Sequence, residues 1–161
     1  MGRYHDAKRS TGLVFICSDM RLHGHDGFGP LLTECFGGSL PARYDLVAIP
    51  GGLYGLVRGD THERQVVMSY IDLLVDLHQS ETIAVIPHTD CGRYGLDRIG
   101  GKEDVLLADL AETRQELERR FPRLKVLTGI AECDALRTTR VYPTEGFDSA
   151  HRGADAKALR A

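Results

Sequence analysis

Two cysteines and a histidine carry the chemistry this chain can do. Cys17-Ser18-Asp19-Met20-Arg21 lies near the start, and His88-Thr89-Asp90-Cys91-Gly92 answers it far downstream. Two thiols and an imidazole are the soft-to-borderline donor set that zinc selects. Three protein donors leave a tetrahedral ion one open position, which is the pattern of a catalytic site rather than a structural one. Asp19 and Arg21 follow the first thiol closely, so a charge pair is built in beside that position. Zinc held by two thiolates and a neutral imidazole has a formal charge near zero. A water on it is therefore expected to be less acidic than the value of about 7 found at His₃ sites, and activity is expected to rise into the alkaline range. A metal-bound hydroxide is then the nucleophile, and a small electrophilic carbon its target.

Asp19 has two roles open to it. Paired with Arg21, it stays ionised and accepts a hydrogen bond from the nucleophile, aiming a lone pair at the substrate. Freed from Arg21, it can reach the metal and close the site. Asp90 lies between the two downstream ligands and is not expected to touch the ion. Gly92 and the segment after it can supply backbone N–H groups to a thiolate or anion.

Each signal has a plainer reading. A cysteine at a strand end is usually a core residue, and an isolated His-x-x-Cys usually a buried thiol near a loop histidine. Their joint occurrence, with Asp-x-Arg attached to the first thiol, favours a metal site. Cys35 and Cys133 have no ligand-spaced neighbours and read as ordinary buried or half-buried thiols. His23-Gly24-His25-Asp26 reads as a glycine-rich polar loop ahead of a second metal site or proton relay. The charged run from Arg114 to Arg120 reads as a solvated helix face.

The elements that must position these residues are legible. Gly12 to Cys17, Tyr44 to Ile49, Thr82 to Ile86 and Leu124 to Ile130 are short runs rich in branched residues and read as buried strands. The second stops at Pro50-Gly51-Gly52 and the third at Pro87, just before His88. Asp60-Thr61-His62-Glu63 has the form of a capping box. Val66, Val67, Tyr70, Ile71, Leu74 and Leu77 recur behind it, predicting a helix to about Gln79. Leu106, Leu110 and Leu117 mark another from about Glu103 to Arg120, ended by Pro122. Phe28 to Phe36 predicts a shorter helix closed by Gly37-Gly38. The alternation implies an α/β fold: a mostly parallel sheet flanked by helices, with Arg137 to Tyr142 as a C-terminal edge strand. Ligands of such sheets bind at the carboxyl ends of the strands, where Cys17, the Pro50-Gly51-Gly52 turn and His88 all fall.

Bulk properties set the remaining bounds. The chain has 161 residues and reads as a single domain over 1–161, with a polar C-terminal tail over 143–161. Its net charge of −3 is mixed along the sequence, which argues against nucleic acid as a partner. The apolar runs are strand-sized, so no membrane span is expected. The N-terminal residues show no hydrophobic leader, which makes the cytoplasm the expected location and free or metal-held thiols the expected state of the four cysteines.

These residues resemble the β-class carbonic anhydrases. That family carries Cys-x-Asp-x-Arg after its first strand and His-x-x-Cys-Gly after its third, matched here by Cys17, Asp19, Arg21, His88, Cys91 and Gly92. The resemblance extends through the helix before His88 to the strand near Val126 to Ile130. It implies Cys17, His88 and Cys91 as zinc ligands and Asp19 with Arg21 as the catalytic dyad. The implied activity is that of a lyase, reversible hydration of carbon dioxide to bicarbonate, and the implied assembly a homodimer or higher homo-oligomer with its site near the subunit interface. Three features depart from the family. Ile49-Pro50-Gly51-Gly52-Leu53-Tyr54 replaces an Arg-Asn-Ala-Gly-Asn-like loop, a Gly-rich insertion occupies 23–43, and the region before the first strand is short. The more apolar loop keeps hydrolysis of carbonyl sulfide or carbon disulfide as an alternative. A zinc protein without turnover is a further alternative, against which the intact Asp19 and Arg21 argue.

Overall fold

Every residue of strand β1 (Gly12–Cys17) is buried, and an apolar strand covered on both faces belongs in the middle of a parallel sheet. A computed structural model of the chain, which describes residues 12–23, 28–95 and 103–144, places it there. β1 pairs in parallel with β2 (Tyr44–Ile49) on one edge and with β3 (Thr82–Ile86) on the other. β4 (Lys125–Cys133) adds in parallel to β3, and β5 (Thr138–Pro143) runs antiparallel to β4. The order is β2-β1-β3-β4-β5, an α/β fold with the expected C-terminal edge strand.

Among the described residues five helices accompany the sheet: α1 (Met20–His23), α2 (Phe28–Phe36), α3 (Leu53–Val57), α4 (Thr61–His78) and α5 (Glu103–Arg120). The capping residue of α4 is the predicted one, for Asp60 accepts the Glu63 N–H at 2.8 Å. The helix ends at Gln79, whose left-handed φ of 53° breaks it and returns its N–H to the Val75 carbonyl. Val67, Met68 and Ile71 face the core, whereas Val66, Tyr70, Leu73 and Leu77 are 39%, 51%, 57% and 64% exposed. The apolar residues of α4 thus divide into an inner and an outer stripe. In α5 the expected Leu106, Leu110 and Leu117 are all buried, and their face also buries Asp109 and Thr113. The charged run on α5 is solvated at its end, with Arg119 on Glu116 and Arg120 reaching Asp72 of α4, whereas Arg114 is half-buried and donates to the Val126 carbonyl.

Two strands run on past their expected ends. β4 continues past Ile130 to Cys133 because β5 pairs along its full length. Pro143 closes β5 and the Thr144 N–H donates to the Thr128 carbonyl at 2.9 Å, so the sheet claims two residues assigned to the tail. Residues 1–11, 24–27 (which include Gly24, His25 and Asp26 of the polar loop), 96–102 and 145–161 lie outside the described residues. Helices α1 and α3, of four and five residues, are too short to leave a periodic signal. Among the described residues no helix is long and apolar enough to cross a membrane.

Candidate metal centre

The strand registry brings the predicted residues together. Cys17 pairs with Ile49 at the ends of β1 and β2, and Ile16 with Ile86 at the end of β3. Beyond β3, His88 forms a parallel bridge to Ala131 of β4, fixed by the Thr89 N–H on the Ala131 carbonyl. Cys17, His88 and Cys91 are all buried, and one donor atom from each lies within 4.8 Å of the others. The two sulfurs stand 3.9 Å apart. A tetrahedral ion with thiolates at about 2.3 Å requires sulfurs roughly 3.8 Å apart, so the pair is already at ligand spacing. His88 is 1% exposed and its Nε2 has no hydrogen-bond partner, a costly state for a buried ring nitrogen unless a cation takes its lone pair. The cluster therefore fits a metal ion.

Backbone N–H groups serve the sulfurs. Gly51 donates to Cys17 Sγ at 3.3 Å, from a turn in which Gly51 and Gly52 have φ of 79° and 48°. A Cβ on Gly52 would meet the Cys17 nitrogen at 2.9 Å, so only glycine lets this turn lie against the first ligand. On the other side Cys91 opens a 3₁₀ turn over Gly92–Tyr94. The Arg93 and Tyr94 N–H groups favour the Cys91 thiolate through space without closing a capping hydrogen bond.

Asp19 and Arg21 form the expected pair. Arg21 clamps the Asp19 carboxylate with Nε at 2.9 Å and Nη2 at 2.7 Å, and its own backbone N–H adds a third donor at 3.0 Å. Of the two roles open to Asp19, this is the Arg21-paired one, with Asp19 Oδ2 4.0 Å from His88 Nε2. The Arg21 hydrogen bonds outweigh burial and hold the Asp19 carboxyl down to about 2. Arg21 is raised further above its usual range by Asp19 and then Asp90.

The residue that sequence reasoning underrated is Asp90. With His88 and Cys133 it forms a second group whose donor atoms lie within 4.8 Å of one another, but both of its oxygens are engaged by neighbouring side chains. Its Oδ1 takes His88 Nδ1 at 2.8 Å and its Oδ2 takes Arg21 Nη1 at 2.6 Å. An aspartate two residues after a ligating histidine was the available signal, because a carboxylate on Nδ1 leaves Nε2 as the free donor. Burial opposes charge on His88, but the Cys17 sulfur and Asp90 prevail and raise its pKa. The thiols behave as one unit. The Cys91 thiol donates to Cys17, which with His88 and the backbone overcomes burial and lowers the Cys17 thiol, while Cys91 is pushed up.

Of the two remaining cysteines, Cys35 is half-buried, as expected. Cys133 is half-buried too, but it lies beside the site, its sulfur within 4.8 Å of donor atoms of His88 and Asp90. The sequence hid this because the approach depends on β4 running on to Cys133, where a register shift re-aims the strand. Leu53, expected to make the neighbouring loop apolar, is only 1% exposed and belongs to the core. Tyr54 packs edge-to-face on Tyr94 with ring centroids 5.1 Å apart.

Fold and cluster together define an α/β protein with a buried Cys-His-Cys group that can bind a metal ion. No family model matches the chain. It is 31% identical over 135 residues to an uncharacterized protein of Rickettsia bellii (strain RML369-C), spanning 79% of each, and it belongs to that protein's family. An uncharacterized protein of Rickettsia conorii (strain ATCC VR-613 / Malish 7) is 27% identical over 135 residues, which cover 79% of this chain and 70% of that relative.

Proposed function

We propose that the chain is a zinc enzyme that hydrates carbon dioxide reversibly to bicarbonate, in the manner of the β-class carbonic anhydrases it resembles. The observation that carries this reading is the station of Asp19, clamped by Arg21 and 4.0 Å from the unpartnered His88 Nε2. A site that only stores a metal has no use for an ionised carboxylate held beside its donors.

Cys17, His88 and Cys91 would hold the ion. Zinc would supply Lewis acidity there, bringing the pKa of a water it holds down into the neutral-to-alkaline range. Asp90 orients the His88 ring through Nδ1 and keeps Nε2 available. Asp19, kept ionised by Arg21, can only accept a hydrogen bond, so it fixes the O–H direction of the attacking oxygen and leaves a lone pair for the carbon. Arg21 spends Nε and Nη2 on Asp19 and Nη1 on Asp90 and the Asp134 carbonyl, which holds the acceptor still.

The reading includes self-association. The outer stripe Val66, Tyr70, Leu73 and Leu77 on α4 has the alternating four- and three-residue spacing of a helix-pairing seam, and it suits a second copy of the same chain.

Stopped-flow hydration of carbon dioxide by the zinc-loaded chain, from neutral to alkaline pH, tests the activity. The expected result is fast turnover that Asp19→Ala lowers by about a hundredfold or more with zinc retained, the loss expected of a positioned group acting in the transition state. One tightly bound zinc per chain with no turnover would refute the reading, and carbon disulfide would be the next substrate tried.

A further inference from the structure

We propose that Asp109 is a positioning residue for the two ligand sulfurs, acting through Tyr94 and Arg58. This rests on Cys17 and Cys91 being metal ligands and does not depend on the identity of the substrate. Asp109 lies on the inner face of α5 and is 3% exposed, on a stripe it shares with Leu106, Leu110, Thr113 and Leu117. A carboxylate at that depth has to be matched by donors. Its Oδ1 takes Arg58 Nη2 at 2.9 Å. Its Oδ2 takes Arg58 Nε at 2.6 Å and the Tyr94 hydroxyl at 2.9 Å.

Tyr94 ends the turn that begins at Cys91, and Arg58 ends the short helix that begins at the turn beside Cys17. The Tyr94 N–H donates to the Cys91 carbonyl at 3.0 Å. Arg58 caps the C-terminus of α3, whose N-cap is Gly52. Gly52 packs on the Cys17 backbone, and Gly51 donates to Cys17 Sγ at 3.3 Å. Between the turns, Tyr54 and Tyr94 lock edge to face, and the Arg58 guanidinium lies 6.0 Å from the Tyr94 ring centre. One buried carboxylate thus ties the Cys17 turn and the Cys91 turn to the same point on α5. The sulfur–sulfur distance that suits a metal depends on both turns being held at once. An ion pair that only stabilised the fold would have no reason to end on these two turns.

The test uses the full chain loaded with cobalt(II), which reports thiolate ligation through its charge-transfer absorption. Wild type, Tyr94→Phe, Asp109→Asn, the double variant and Leu110→Ala are compared for the cobalt spectrum, cobalt affinity against a chelator, and thermal stability. Each single change at the pair should shift the charge-transfer bands and weaken cobalt binding about tenfold, the lower end for outer-shell partners. The double variant should bind no more weakly than Asp109→Asn alone, as expected of one coupled pathway. Leu110→Ala, a cavity on the same helix, should lower the melting temperature and leave spectrum and affinity unchanged. If Tyr94→Phe and Asp109→Asn behave like Leu110→Ala, the proposal is overturned. Should Asp109→Asn fail to fold, Tyr94→Phe decides alone, since it leaves Asp109 paired with Arg58. A wild-type chain with no thiolate-to-cobalt band would overturn the ligand assignment itself, and this inference with it.

Discussion

Arg21 Nη1 donates to Asp90 Oδ2 at 2.6 Å, joining residues 69 positions apart in sequence. Through this contact the two motifs at the site become one electrostatic unit. Asp19, Arg21, Asp90 and His88 form an unbroken chain of charge-assisted contacts, each between 2.6 and 2.9 Å. The candidate ligand His88, through Asp90, and the candidate acceptor Asp19 are therefore oriented by the same guanidinium, and a change at one end is felt at the other.

Replacing Asp90 tests that linkage. Asp90→Asn keeps the size of the side chain but removes the charge that faces Arg21 and His88 Nδ1. Outer-shell partners of metal-ligating histidines are worth about 10- to 100-fold in affinity, and a loss of that order is expected for zinc here. Competition with a chromophoric chelator measures it. Unchanged affinity would mean that packing alone holds the His88 ring.

The turn beside Cys17 makes a sharper stability prediction. Gly52→Ala has to adopt a φ of 48° and place a Cβ 2.9 Å from the Cys17 nitrogen and 3.0 Å from the Ile16 carbonyl carbon. Left-handed backbone costs a side-chain-bearing residue about 1–2 kcal/mol, and a backbone clash adds to it. A loss of about 2–4 kcal/mol in urea unfolding is expected, together with weaker metal binding. Gly38→Ala, with open space around its Cβ position, is the control and should change little.

Much of this site was legible because parallel strands deliver the residues that follow them to one edge of the sheet. Cys17 and His88 each come at the end of a short apolar run, so reading the strands located two members of the cluster. The short helix α3 was not legible, because five residues cannot show a period, and with it went the role of Arg58. Asp109 left a usable signal, a lone carboxylate on the stripe of Leu106, Leu110 and Leu117, since such a residue must find buried donors. The approach of Cys133 left none, for it depends on how far β5 carries β4. The double stripe on α4 was visible as too many apolar residues for one face, yet only the packing separates Val67 and Ile71 from Val66 and Tyr70.

Cys35 supplies a pH dependence away from the metal centre. Burial, followed by the neighbouring Glu34 carboxylate, pushes its thiol up to about 11. An unfolded cysteine ionises near about 8.5, so above that pH the unfolded chain sheds its proton first. The native state then binds more protons than the unfolded one, and stability falls as pH rises until the folded thiol also ionises. The Cys35 contribution is thus complete below about 8.5 and lost by about 11. Urea midpoints at pH 8 and at pH 10.5 should fall less in Cys35→Ala than in the wild type. Parallel losses in both proteins would place the alkaline sensitivity elsewhere.

The outer stripe of α4 leads to the last prediction. Tyr70 and Leu73 sit at its centre, 51% and 57% exposed, so their side chains contribute little to the packing of their own chain. At the sheet edge, β2 also leaves Leu46 44% exposed. In an antiparallel pairing of two copies of α4 about a two-fold axis, Tyr70 of one chain would meet Leu73 of the other, burying apolar surface on both at about 25 cal/mol per Å². Placing like charges at both positions, Tyr70→Glu with Leu73→Glu, turns that contact into repulsion. Light scattering should show the wild-type chain as a dimer or larger assembly and the double variant as a monomer. Because the substituted positions are solvent-facing within one chain, the helical circular dichroism should be retained. A wild-type chain that is monomeric across the concentration range, or a double variant that keeps the wild-type mass, would remove α4 as the contact between copies.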